Sequence, residues 1–332
     1  MVTTATSPRL GGMVPSNDVL RPGQPTASVL ADGRLTPAMR DELRRIPSAR
    51  NALSVVSTWV QIAAVIAGAV WLGPWSWLPA IVLMGRAHAQ LASLMHEAAH
   101  RLLFRNKHMN DIVGRWIVGY PGLTNTDAYR RGHMAHHREE FGPNEPDIPL
   151  YANYPISPAS FRRKLVRDAT GRTGLKLLRT QLAVLAGPVT VARWSQVKIL
   201  AVQAVLLAAA IVSGHWWVYP VLWIVPYLTV WRVINRLRSI AEHGGLNASD
   251  DRRVATHSVM QHPLAQFFLV PFNIGFHLAH HVDAGVPFRN LPLYHRMLVE
   301  SGYVSTDYEY GSYPAIWRAL SKGDRERASK SE

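Results

Sequence analysis

The chain has 332 residues, 48% of them hydrophobic and only 17% charged, against about 25% charged in an ordinary soluble domain. It contains no cysteine, which excludes disulfides, iron–sulfur clusters and thiolate metal sites, so any metal must be held by histidine, carboxylate or water. The net charge is +14 and the isoelectric point near 10.4, but the basic residues crowd the ends of apolar runs, which points to anionic lipid rather than nucleic acid.

Residues 1–50 are rich in Pro, Gly, Ser and Thr and carry no signal-peptide core, so they read as a flexible cytoplasmic tail. Within them, 36–45 is a short helix started at Thr36-Pro37. Residues 52–72 are uncharged and long enough to span roughly 30 Å of hydrocarbon, and Gly73-Pro74 ends the run. A second run, 75–95, leads into His96. Arg86 and His88 interrupt it, and an arginine at mid-bilayer must face protein or water, or snorkel to an interface. The sequence leaves that choice open.

Residues 101–195 hold no long uncharged run. The stretch 111–123 is amphipathic and suits the interface, 139–158 is a Pro-rich loop carrying Asn144-Glu145-Pro146-Asp147, and 161–179 is a strongly basic surface helix. Residues 197–213 and 216–234 are two further spans, separated by Gly214-His215. The segment 264–276 is too short to cross, and 301–332 reads as a cytoplasmic tail. Arg50, Arg101, Arg105, Arg232, Arg236 and Arg238 then share one face, which the positive-inside rule makes cytoplasmic. The expected fold is an all-α integral membrane protein. Four transmembrane helices in two hairpins leave three histidine clusters on the cytoplasmic face, and the membrane domain covers 51–300.

Those clusters are His96-Glu-Ala-Ala-His100, His133-Met-Ala-His-His137 and His277-Leu-Ala-His-His281. On a helix, positions i, i+3 and i+4 fall within an arc of roughly 100°, so each cluster is expected to aim its imidazoles at one focus. Eight clustered histidines exceed what one tetrahedral ion uses, which makes two ions the simpler reading. His243 follows the fourth span by about two helical turns and would come down on the same focus as a ninth ligand. His88, His108, His215, His257, His262 and His295 belong to no cluster. Glu97, Asp147, Glu242 and Asp283 are candidates to orient ligand imidazoles through the second ring nitrogen, and Asn273 either does so or caps a turn.

The chain resembles the membrane fatty acid desaturase family, whose pattern is H-x(3,4)-H, H-x-x-H-H, a separate downstream histidine and a second H-x-x-H-H. His96-Glu-Ala-Ala-His100, Tyr129-Arg-Arg-Gly-His-Met-Ala-His-His137, Ala241-Glu-His243 and the run from His277 to Pro292 carry the resemblance. It implies a four-span protein with a cytosolic cap over two iron ions, ligated by His96, His100, His133, His136, His137, His243, His277, His280 and His281. It further implies O2 as co-substrate and desaturation of a fatty acyl or lipid chain, delivered as acyl-CoA, acyl-carrier protein or phospholipid. The expected location is a bacterial inner membrane, with electrons from a separate ferredoxin, rubredoxin or cytochrome b5-type donor because no fused donor domain is evident. One departure stands out. Relatives carry Asn four residues before the downstream histidine, where it reaches one iron through water, and this chain has Ser239.

Three rivals follow from the same residues. A hydroxylase or ketolase of a lipid or carotenoid could use the same scaffold. A zinc intramembrane protease would use His96 and His100 as ligands and Glu97 as base, ignoring the later histidines. A bis-histidine haem protein would need ligands on opposite faces of one iron rather than three convergent clusters.

Overall fold

The computed structural model describes residues 9–142 and 145–322. Residues 1–8 and 323–332 of the two expected tails, and Asn144 of the Pro-rich loop, lie outside them. Among the described residues there is no strand, only isolated bridges between Val29 and Leu35 and between Val259 and Tyr310. Helix α1 (Pro37–Leu43) has proline at its first turn, where its missing N–H costs nothing. Helices α2 (Ser48–Leu72) and α3 (Trp77–Ala99) form a hairpin turned at Gly73, whose φ of 72° favours glycine. Helix α4 (Lys107–Ile112) is capped by the Asn106 side chain and runs on into a π-helical turn, Val113–Gly119. Helix α5 (Thr126–Arg138) is capped by Asn125. Helices α6 (Ile148–Tyr151), α7 (Pro158–Ala169) and α8 (Arg172–Ala183) lead to α9 (Val191–Val212). After a π-helical turn at Tyr219–Ile224 come α10 (Val225–Leu228), α11 (Val230–His243), α12 (Arg252–Ala255) and α13 (Pro263–Phe268). Helices α14 (His277–Val282), α15 (Leu291–Glu300) and α16 (Tyr313–Leu320) complete the series.

Two helices, α2 and α9, are long and apolar enough to cross a membrane. Only 28% and 22% of their most apolar windows are buried, so Leu53, Val56, Val60, Val205 and Val212 face outward. The core helix of a water-soluble protein would bury such residues, whereas lipid accepts them.

The other two expected spans depart from that pattern. From Gly85 onward α3 is almost wholly buried against α2, α5 and α11, and the buried set includes Gln90, Ser93, His96 and Glu97. Arg86 faces protein: its Nε donates to the Phe267 carbonyl (2.7 Å), its Nη1 to Gln61 (2.7 Å) and Gln90 (2.9 Å), and it stacks on the Phe267 ring. The fourth expected span is not one helix. Pro220 and Pro226 each remove a backbone donor, the chain widens into a π turn, and Thr229 (φ −118°, ψ −84°) breaks it before α11. Gly174 of α8 closes on that break so tightly that a Cβ there would lie 2.3 Å from the Leu228 carbonyl oxygen.

The main core joins Met84, Leu91 and Leu94 of α3 to Leu278 of α14 and to Leu291, Tyr294 and Leu298 of α15. Both expected tails contribute to the packing, which corrects the reading of residues 1–50 as flexible for the part the structure describes. Val29, Leu35 and Leu43 enter the main core, the Tyr294 hydroxyl donates to the Gly33 carbonyl (2.9 Å), and Arg253 donates to the Leu20, Arg21 and Tyr303 carbonyls. At the other end Tyr303, Val304 and Tyr308 join that core, while Ile316 and Leu320 close a second one with Tyr154 and Ile240. Pro-, Gly- and Ser-rich composition hid the few apolar residues that anchor the first segment.

Candidate metal centre

Helix α3 supplies His96 and ends at His100, α5 supplies His133, His136 and His137, α11 ends on His243, and α14 carries His277, His280 and His281. The structure brings all nine together in two adjoining sets. Ligand nitrogens of His96, His100, His133, His137 and His280 lie within 4.8 Å of one another, as do those of His136, His243 and His281. His277 joins the second set, its Nε2 lying 3.0 Å from Nε2 of both His243 and His281.

The expectation that each box aims at a single focus is corrected. In each H-x-x-H-H box the outer i, i+4 pair, His133/His137 or His277/His281, serves one set, and the middle histidine, His136 or His280, serves the other. At about 100° per residue, i+3 lies roughly 60° to one side of i and i+4 roughly 40° to the other, so the adjacent histidines diverge. Two boxes facing each other thereby interlock their ligands.

The donor set fits metal. Nδ1–H of His136 donates to Glu145 Oε2 (2.7 Å), that of His243 to the Ala255 carbonyl (2.7 Å), and that of His281 to Glu140 Oε1. With the proton on Nδ1, Nε2 presents a lone pair. His243 and His281 thus each turn an Nε2 lone pair on His277 Nε2 at 3.0 Å, and Nε2 of His137 lies 3.1 Å from that of His133 and 3.0 Å from that of His280, a crowding of ring nitrogens that a cation between them would stabilise. Nitrogens about 2.1 Å from one ion and at right angles lie about 3.0 Å apart. His96 Nε2 and His100 Nε2 are buried with no hydrogen-bond partner. Burial first, and then the facing imidazoles, hold eight of the nine well below the usual imidazole range, His100 down to about 3, which keeps them neutral. His136 is the exception: burial opposes its charge, but Glu145, Glu140 and Asp147 together raise it.

The expected orienting residues divide. Asp147 stands with His136 and Glu145, and Glu242 Oε1 lies 3.5 Å from His277 Nδ1 while paired to Arg238 at 2.6 Å. Ser239 lines the cavity beside His243, its hydroxyl donating to the Asn235 carbonyl (2.7 Å). Glu97, Asn273 and Asp283 hold no ligand imidazole. Glu97 accepts from the Phe288 amide (3.1 Å), on the face of α3 turned from the histidines, so it is also misplaced as the base of a His96–His100 zinc site. Asn273 sits in a turn at φ 59°, and Asp283 pairs with Arg44 at 2.7 Å.

Sequence reasoning missed Glu140, Glu145 and the Ala255 carbonyl. Glu140 lies one helical turn beyond His136 and His137, a spacing that carried the signal, and Arg252 braces it at 3.0 Å. Burial pushes the Glu140 carboxyl up to about 7, against the pull of Arg252. Nothing in the sequence marks a backbone carbonyl.

Residues 69–313 match the family model for fatty acid desaturases, which is most of the chain. The chain belongs to the fatty acid desaturase family. This desaturase is 25% identical to the dihydrorhizobitoxine desaturase of Bradyrhizobium elkanii over 253 residues, 72% of each chain. It is 34% identical to the Delta(5) fatty acid desaturase fat-4 of Caenorhabditis elegans over 61 residues, 18% of this chain and 14% of that one. As a member of the family it is a membrane-associated oxidoreductase, with histidine sets able to hold metal ions and a lipid or acyl substrate implied.

Two cavities reach the desaturase histidines. One, of about 220 Å³, is bounded by Tyr129, Tyr227, Trp231, Arg232, Asn235 and Ser239, and meets His133, His136, His243 and His277. The other, of about 510 Å³, meets His137 and His281 under Arg34, Arg40, Arg44 and Arg252.

Proposed function

We propose that this desaturase inserts a C=C bond into a fatty acyl or lipid chain by means of a non-haem di-iron centre and O2. The observation that carries the reading is the pair of all-imidazole sets, five nitrogens beside four, with Nδ1 protons held away by Glu140, Glu145 and the Ala255 carbonyl. Iron bound by both sets would supply the reduction of O2 that takes two hydrogens from adjacent methylenes and leaves water, with two electrons from a donor. The chain's own part is to hold the imidazoles neutral and aimed, and to exclude water from buried ligands.

In this reading residues 51–300 are the catalytic domain, and α2, α3, α9 and the broken 216–234 segment are four spans of a bacterial inner-membrane protein. By the positive-inside rule Arg101, Arg105, Arg236 and Arg238 support a cytoplasmic histidine face and cytoplasmic termini. The basic cavity over His137 and His281 suits an acidic donor of the ferredoxin, rubredoxin or cytochrome b5 type, or the phosphate groups of acyl-CoA or acyl-carrier protein.

The test is metal content of purified protein beside His280→Ala, with product mass after turnover. About two irons per chain, reduced in the variant, together with loss of two hydrogens from the substrate, is the expected result. One zinc unchanged in the variant sinks the reading, and gain of one oxygen makes the enzyme a hydroxylase. A second reading comes from the relative that aligns over 72% of this chain, which is named for dihydrorhizobitoxine rather than a fatty acid. On that reading the substrate is not a fatty acid.

A further inference from the structure

The 220 Å³ cavity has a mixed polar and apolar lining and is divided by charge. One stripe of α11, Arg232, Asn235, Ser239 and His243, forms a wall, because these positions return to nearly the same helical face. At the histidine end Asp147 stands with His136 and Glu145, and Glu242 is paired with Arg238. Arg232 lies at the other end, roughly three turns and 16 Å of helix rise away.

No carboxylate is within ion-pair distance of Arg232 among the described residues. Its Nε donates to the Tyr227 carbonyl (3.2 Å), and the guanidinium lies over the Tyr227 ring, 4.2 Å from its centre. Nη2 is buried and has no hydrogen-bond partner. Buried arginine is ordinarily paired, since an unmatched charge loses its hydration for nothing. Here two contacts fix a half-buried group that lines the cavity, with Nη2 withdrawn from water and unpartnered. The guanidinium is a planar donor fork, matched by a carboxylate.

We propose that Arg232 anchors the free carboxylate of a compact organic acid, so that the cavity presents its carbons, several bonds from the carboxylate, to the histidines. The inference rests on the desaturase reading and narrows its substrate. A space of 220 Å³ falls below the roughly 300–1,000 Å³ of sites for drug-sized ligands, which favours a small acid. A thioester-linked acyl chain carries no carboxylate for the arginine to meet.

The test uses full-length, metal-loaded protein in detergent, with octanoate, methyl octanoate and octyl phosphate as probes in equilibrium dialysis, and with iron content measured on every sample. Octanoate should bind roughly tenfold or more tightly than its ester. Arg232→Gln should abolish that preference with iron content and melting temperature unchanged, and Arg232→Lys should restore part of it. Failure of octanoate to bind, equal binding of acid and ester, or an Arg232→Gln variant that keeps the preference overturns the proposal. Preference for octyl phosphate overturns it too, by assigning Arg232 to a lipid phosphate. The desaturase reading fails separately: Arg232-dependent acid binding by a protein that takes up no iron would leave the anion site standing and remove the chemistry.

Discussion

His133 and His136 are one turn apart on α5 yet lie in different sets, so under the proposed di-iron reading single substitutions should separate the two ions. His100→Ala should cost the first ion and spare much of the second, and His243→Ala the reverse, read as iron per chain and as the change in the spectrum of the remaining iron. Behind the ligands, Glu140 holds His281 and is itself braced by Arg252. Glu140→Gln keeps the shape but weakens that hold, and metal affinity should fall roughly 10–100-fold in a chelator competition. At this scale the sequence was most legible. Boxes of histidine at helical spacing announced convergence, because i, i+3 and i+4 are local geometry. Which carboxylates stand behind them was not legible, since Glu145 and Arg252 arrive through loops whose path depends on the whole fold.

The helices meet at points where a side chain would not fit. A Cβ on Gly85 of α3 would lie 2.3 Å from the Cγ1 of Val230, at the start of α11. Gly85→Ala should therefore push apart the two helices that carry His96 and His243, at a cost of about 1–3 kcal/mol in stability, seen as a lower melting temperature with weakened iron retention. Helix α7 is tied to α11 by the buried pair Asp168–Arg236. Removing Arg236 strands a fully buried carboxylate, and Arg236→Ala should destabilise by about 3–5 kcal/mol, whereas exchanging both residues for apolar ones of similar size should cost far less. The first and third expected spans could be read directly, because an uncharged run of that length forms one continuous apolar helix, α2 or α9, long enough to cross a membrane. The fourth could be read only in outline. Its prolines were visible, but a π turn and a break at Thr229 depend on Gly174 of α8 approaching from far away in sequence.

Across the whole molecule, residues 20–45 form a strap over α14 and α15. Val29 and Leu35 are buried, Arg44 pairs with Asp283 two residues beyond His281, and Arg34, Arg40 and Arg44 roof the cavity that meets His137 and His281. Deleting residues 1–45 should leave the histidine boxes intact in sequence yet let a chelator strip iron several-fold faster, measured by stopped-flow release. Composition alone disguised this strap, since five or six apolar anchors in a Pro- and Gly-rich stretch do not form a period.

The interlocking of the two boxes also orders events in time. Each set takes ligands from α5 and from α14, which are separated by well over a hundred residues of chain. While the nascent chain is still on the ribosome, the first set lacks His280 and the second lacks His277 and His281. Neither histidine set can be complete until synthesis has passed residue 281. A premature stop between α11 and α14 should therefore yield a chain with neither set complete.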